Sequence, residues 1–240
     1  MLAKEQEWYD EFYRQEQTKF APWYKFAIPH LRSRLTPDTK LVDLGCGQGH
    51  LLRHLAREKL VSEERLYGLD QSATALEFVK KWLPAAHAQV GDIYRLEYPK
   101  DSFQVCFFME TIEHLEEPGP ALEEIKSVIA PGGLLYLSFP NFLHLPWLAV
   151  RLLSDLLNKP NWIVRQPVDK IYTVPQVIRI VKQAGFELEC GIGSNYGPPV
   201  FYPLEREWVT KSLNALGLWW LSFHPILVFR KPALVSSAKS

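Results

Sequence analysis

Apolar and polar positions alternate along this chain in blocks whose period changes from one block to the next. Residues 4–17, KEQEWYDEFYRQEQ, are mostly polar, but Trp8 and Phe12 stand four apart and so do Tyr9 and Tyr13. That spacing predicts an amphipathic helix with an aromatic stripe. Pro22, Pro29 and Pro37 punctuate a second helical segment before KLVDLG, a short run expected to be a buried strand. HLLRHLAREKL reads as a helix and RLYGLD as a strand ending at Asp70; Ser72 then stands where an N-cap belongs before ATALEFVKKWL. AHAQVGD, FQVCFFM and LLYLSFP are further strand-like runs, the last launched by a Pro131-Gly132-Gly133 turn, with PGPALEEIKSVIA as the helix between the last two. Strands and helices alternating this regularly predict crossover units on a mainly parallel sheet, an α/β fold.

Composition and charge narrow the function classes. Apolar residues make up 47% of the 240 and charged ones 22%, enough apolar surface for one large buried core. Lys+Arg and Asp+Glu both number 27, so no overall field draws the chain to nucleic acid or an anionic membrane. Cys46, Cys106 and Cys190 are odd in number and far apart, which predicts neither a disulfide framework nor a metal site and suits a reducing cytoplasm. No apolar stretch follows a basic start at the N-terminus, so no signal peptide is expected. The longest nearly apolar run, ALGLWWLSFHPILVF, is too short to span a bilayer and contains a proline.

The candidate chemistry lies in LVDLGCGQGHLL, residues 41–52. Three glycines within five residues follow a strand and open a helix, where open α/β sheets bind ligands and where bare backbone lets a ligand lie against the main chain. A dinucleotide's pyrophosphate would occupy such a helix end, but Asp43 would repel it. S-adenosylmethionine suits the pattern better: it carries no phosphate, its sulfonium and ammonium are cationic, and its carboxylate can take helix-end amides. Asp70, about twenty residues beyond the loop, stands where an acid binds both ribose hydroxyls. Asp92 and Ile93 end the third strand as a pair able to hold adenine, the acid on its exocyclic amine and the isoleucine on a ring face.

These residues resemble the class I S-adenosylmethionine-dependent methyltransferases, in order, from about residue 41 to residue 185. The glycine motif is Asp43-Leu44-Gly45-Cys46-Gly47-Gln48-Gly49, the ribose acid Asp70 and the adenine-side acid Asp92. DSFQVCFFMETIEHL resembles the fourth strand and its following loop, IAPGGLLYLSFPN the fifth strand, KQAGFELE a helix end with the sixth strand, and FHPILVFRKP a reversed seventh. The Glu113-His114-Leu115 run points to a subgroup of small-molecule methyltransferases. The resemblance implies a doubly wound, mostly parallel seven-stranded sheet. It also implies one domain: an N-terminal helical cover (1–38), a cofactor-binding core (39–140), a helical lid inserted after the fifth strand (141–173), a C-terminal core (174–232) and a tail (233–240). It implies that Asp43, Gly45, Cys46, Gly47, Gly49, Asp70, Gln71, Asp92, Ile93 and Met109 surround S-adenosylmethionine, with no metal.

The expected reaction is methyl transfer to the O, C or N of a small, apolar or aromatic acceptor. The chain mainly aligns that acceptor and excludes water; where the acceptor must lose a proton, His114 is the candidate base. Leu145, Trp147, Leu148, Leu152, Leu153 and Leu156 in the insertion, and Tyr196, Phe201, Tyr202, Trp208, Trp219 and Trp220 near the C-terminus, can pack as a cap, wall a lipophilic pocket or rest on a membrane surface. The competing readings are a nicotinamide oxidoreductase, against which Asp43 speaks, and a non-catalytic module that keeps the fold.

Overall fold

The computed structural model describes residues 2–17, 24–157, 167–197 and 207–233. Pro22, residues 158–166 of the expected lid, Phe201, Tyr202 and residues 234–240 of the tail lie outside them, as do the side chains of Arg151 and Asp155. Seven strands form one sheet: β1 (Leu41–Leu44), β2 (Leu66–Asp70), β3 (His87–Val90), β4 (Phe103–Met109), β5 (Ile129–Ser138), β6 (Glu187–Ile192) and β7 (Ile226–Arg230), in the order β3-β2-β1-β4-β5-β7-β6. The first five strands pair in parallel, and β7 runs antiparallel between β5 and β6. The mostly parallel seven-stranded sheet expected from the sequence is the one observed.

β4 shows why its block, the exposed Gln104 apart, reads as apolar sequence. Val105, Phe107 and Met109 face one layer, with Ala27 and Leu31 of α2 (Tyr24–Arg32), Leu51 and Leu55 of α3 (His50–Arg57), and Leu76 and Val79 of α4 (Ala73–Trp82). Cys106 and Phe108 face the other, with Leu122 and Ile125 of α5 (Pro118–Val128) and Val177 and Val181 of α7 (Val174–Gln183). A parallel strand covered on both faces has no solvent side to make polar, and each large apolar side chain buried contributes about 1.5–3 kcal/mol. At one point the chain departs from expectation. The Pro131-Gly132-Gly133 segment does not precede β5 but lies within it, as an irregularity that shifts pairing from Phe103↔Ile129 to Val105↔Leu134.

β1 leads to α3 on one face and β4 leads to α5 on the other, so the order reverses between them. Such a switch point leaves a cleft at the strands' carboxyl ends. Over that cleft lies α1 (Leu2–Phe12). Asp10 Oδ1 accepts hydrogen bonds from Ser72 Oγ at 2.5 Å and from the Thr74 amide at 3.3 Å, so α1 is fastened to the start of α4. The chain after α1 is fastened to the glycine loop by Gln48, which is 2% exposed. Its Nε2 donates to the carbonyls of Tyr13 (3.2 Å) and Gln15 (2.8 Å), and its Oε1 accepts the Gln17 amide (2.8 Å).

The insertion after β5 begins with α6 (Leu145–Leu156). Leu145, Leu152 and Leu156 form its exposed stripe, Ser154 is buried on the opposite side, and the Trp147 ring lies 4.6 Å from that of Phe223. α8 (Glu207–Ala215) precedes Trp219, which packs on the core, and Trp220, which is exposed. Among the described residues, no helix is long and apolar enough to cross a membrane.

Candidate active site

The turn after β1 is built so tightly that only glycine fits where it meets the cleft. Gly45 has φ 76°, and a Cβ there would lie 2.6 Å from Thr111 Oγ1. The loop's amides are committed inside the protein. Those of Gly45 and Cys46 donate to the Leu69 carbonyl at 2.8 and 3.1 Å, that of Gly47 to Asp70 Oδ2 at 2.8 Å, and that of Gly49 to the Cys46 carbonyl at 2.9 Å. A phosphate-binding loop must offer such amides to its ligand; these four are spent. Beneath the loop, Asp43 is 2% exposed, and burial together with Asp70 pushes its carboxyl up to about 8. The loop is therefore a smooth, bare surface backed by a latent negative charge. A pyrophosphate has no partner among those four amides.

In front of the loop lies a cavity of about 810 Å³. One end is walled by Gly45, Asp70, Gln71, Gly91, Asp92 and Ile93. Asp70 stays accessible there while bracing its surroundings: besides the Gly47 amide on Oδ2, its Oδ1 accepts the Ser72 amide at 2.9 Å. Burial raises the Asp70 carboxyl, and these backbone amides oppose the rise. Asp92 Oδ1 accepts the Tyr94 amide at 2.9 Å, which holds the acid at the rim beside Ile93. Gln6, Tyr9 and Tyr13 of the N-terminal strap form the roof.

The other end is walled by Glu110, Thr111, His114, Leu115 and, from the end of the insertion, Pro167 and Val168. His114 Nδ1 lies 2.7 Å from the Val168 carbonyl. A carbonyl only accepts, so Nδ1 carries the hydrogen and Nε2 is left as an acceptor, 3.5 Å from Glu113 Oε1. Burial lowers the imidazole's pKa, with the Val168 bond opposing, so the ring is neutral at pH 7. Glu110 has a left-handed backbone, φ 49°, uncommon for a side chain of its size. Its Oε1 accepts from Ser138 Oγ at 2.6 Å, and its Oε2 lies 3.4 Å from His224 Nε2. Burial pushes this carboxyl up to about 8, with Ser138 opposing.

Six of the residues singled out from sequence thus share one cavity: Gly45, Asp70, Gln71, Asp92, Ile93 and His114. Asp43, Cys46, Gly47, Gly49 and Met109 are not on its wall. Asp43 and Met109 are buried at strand ends, a Cβ on Gly47 would meet the Tyr13 hydroxyl, and Gly49 caps α3 against Val79. Of the described residues of α6, none lines the cavity. Sequence reasoning passed over Gln48, whose place among glycines was its one signal, and Asp10, which had none. Among the described residues, no group of three or more His, Cys, Asp or Glu side chains forms a metal cluster.

The sequence profile of a methyltransferase domain matches residues 42–137, a span that holds the loop, both acids and His114. That match, with the relatives and the fold, supports the class I S-adenosylmethionine-dependent methyltransferase expected from the sequence. The methyltransferases that the chain is similar to act on different compounds. It is 31% identical over 98 residues to the malonyl-[acyl-carrier protein] O-methyltransferase of Yersinia pestis, covering 41% of this chain and 35% of that one. It is 26% identical over 217 residues to the ubiquinone biosynthesis O-methyltransferase of Parvibaculum lavamentivorans, covering 80% of each. The chain spans 44% or less of the length of the relatives that it matches at 31% identity. In fold, it resembles the S-adenosylmethionine-dependent methyltransferase of Mesorhizobium loti, with a TM-score of 0.59, 19% identity, and 84% of this chain and 96% of that one covered.

The domain match supports S-adenosylmethionine as the cofactor, and the residues present fit it. Asp70, Asp92 and Ile93 would hold the ribose and adenine; the uncharged loop surface at Gly45 would take a ligand without phosphate; the aromatic roof of Tyr9 and Tyr13 suits a cationic centre. The loop amides are less available for the methionine carboxylate than the sequence suggested, since four of them are spent internally.

Proposed function

We propose that the protein transfers a methyl group from S-adenosylmethionine to a small-molecule acceptor held against Glu110, Thr111 and His114. The observation that carries this reading is the continuity of the cavity: the cofactor acids and the acceptor end share one chamber roofed by Tyr9 and Tyr13. When bound, the cofactor supplies an electrophilic methyl. The chain's own work is to align the acceptor and exclude water, and the roof and the tail of the insertion do both. His114 Nε2, left as an acceptor by the Val168 bond and 3.5 Å from Glu113 Oε1, accepts a hydrogen bond from the incoming group and orients it. No Lys or Arg is among the described lining residues, which supports a small molecule over nucleic acid. The three free cysteines agree with a reducing cytoplasm. The exposed leucine stripe of α6 favours a second element in this reading, a lipophilic acceptor collected at a membrane surface. Incubation with methyl-labelled S-adenosylmethionine and a cellular small-molecule extract tests the main reading. It expects label in a low-mass product, and label confined to protein or RNA would contradict it. Flotation with lipid vesicles tests the membrane element, which loss of binding to every lipid would retire.

A further inference from the structure

A cofactor with an amino-acid tail brings a carboxylate into the chamber, and the glycine loop is poorly placed to receive it. Of residues 45–52 only Gly45 is on the cavity wall, so the first turn of α3 does not open into the chamber. Four of the loop's amides are in any case bonded within the protein. No Lys or Arg is among the described lining residues, and Lys170, beside the acceptor rim, is bonded to the Glu116 carbonyl. A buried carboxylate without donors is among the costliest arrangements in a protein interior. A neutral donor standing over the loop would meet that need.

Tyr13 has that position. Its amide donates to the Tyr9 carbonyl at 3.0 Å, which continues the last turn of α1 and sends both rings to the side that roofs the cavity. Its hydroxyl rests on the bare backbone of Gly47, where a Cβ would lie 2.9 Å from it. Among the described residues this hydroxyl has no hydrogen-bond partner. Burial, and Asp70 after it, raise its pKa, so the phenol keeps its proton and can donate it to an anion. Other hydroxyls on the wall are engaged elsewhere: Thr111 Oγ1 donates to the Met109 carbonyl at 2.8 Å, and the Tyr94 hydroxyl accepts the Glu117 amide at 3.2 Å.

We infer that the Tyr13 hydroxyl binds the carboxylate of the cofactor's methionine portion, so that the strap rather than the glycine loop reads the cofactor's amino-acid end. The loop still takes part, at one remove. Gln48 Nε2 donates to the Tyr13 carbonyl at 3.2 Å and to the Gln15 carbonyl at 2.8 Å, and Asp10 ties the preceding turn to Ser72. The loop that spends its own amides therefore holds in place the residue that stands in for them. Asp70 and Asp43 lie near the same hydroxyl. Burial opposes the ionisation of both, and the incoming tail carries an ammonium of its own to face them.

This inference rests on the methyltransferase reading, and the test separates the two. S-adenosylhomocysteine and its decarboxylated analogue, S-adenosyl-3-thiopropylamine, are titrated calorimetrically into the wild type and into Tyr13→Phe. The analogue keeps the adenosine, the sulfur and the amine and lacks only the carboxylate; the variant keeps the ring and lacks only the hydroxyl. The wild type is expected to bind S-adenosylhomocysteine at least about tenfold more tightly than the analogue, as a hydrogen bond to a charged group implies. Tyr13→Phe should cost S-adenosylhomocysteine about tenfold in affinity and change the analogue's by less than about twofold, so that the variant barely separates the two ligands. Equal wild-type affinity for both ligands, an undiminished preference for S-adenosylhomocysteine in Tyr13→Phe, or a loss shared equally by both ligands would each overturn the inference; the last would make Tyr13 a packing residue. Failure of the wild type to bind either ligand would overturn the methyltransferase reading and this inference with it.

Discussion

At the scale of single residues, Asp70 serves two masters. It braces the glycine loop through the amides of Gly47 and Ser72 and presents its remaining lone pairs to the cavity. Charge-assisted bonds of this kind are worth roughly 1.5–3 kcal/mol, so Asp70→Ala should weaken S-adenosylhomocysteine binding at least about tenfold by calorimetry. Because the brace is lost too, the melting temperature should fall with it; unchanged affinity would place the ribose elsewhere. Asp43 and Glu110 make a pH prediction. Each carboxyl has a folded pKa pushed up to about 8, from ordinary values of 3.8 and 4.5. The unfolded chain therefore releases these protons first as pH rises, and the stability they contribute below their ordinary values is lost progressively up to about 8. Asp43→Asn should accordingly melt higher than the wild type at pH near 8 and lose most of that advantage near pH 4, as read by thermal scans across that window. The position of Asp70 on the cavity wall was legible from its place twenty residues past the loop. The environment of Glu110 was not, because Ser138 and His224 reach it from 28 and 114 positions away in sequence, across the sheet.

At the scale of elements, the strap from α1 to Gln17 is held by side chains rather than by packing alone. Gln48 makes three hydrogen bonds to its backbone, each worth about 0.5–1.5 kcal/mol net. Gln48→Ala should speed dissociation of S-adenosylhomocysteine about tenfold in stopped flow, by that same arithmetic, and leave the association rate nearly unchanged. An unaltered off-rate would mean that the strap does not gate the site. For α6, the Trp147 ring rests on Phe223 and away from the described cavity wall. Trp147→Ala should lower the melting temperature and spare cofactor affinity; weakened acceptor binding as well would show α6 acting as a lid. Strands that are buried on both faces were readable from their apolar runs, as in β4. The Pro131-Gly132-Gly133 irregularity was not, since three turn-forming residues look alike before a strand and inside one.

At the scale of the whole molecule, the reversal of strand order between β1 and β4 places the bare loop, the two acids and the acceptor end around one chamber. The sequence carried this architecture because alternating strand and helix blocks admit few topologies. It carried the acceptor poorly, because the walls there come from segments as distant as Tyr9 and Val168. The central claim is that the chamber takes a phosphate-free adenosyl cofactor, and parallel calorimetric titrations with S-adenosylhomocysteine and with NADH test it most directly. Saturable one-to-one binding of S-adenosylhomocysteine, weakened at least about tenfold by Asp70→Ala and absent with NADH, is the predicted result; binding of NADH in its place would contradict the account.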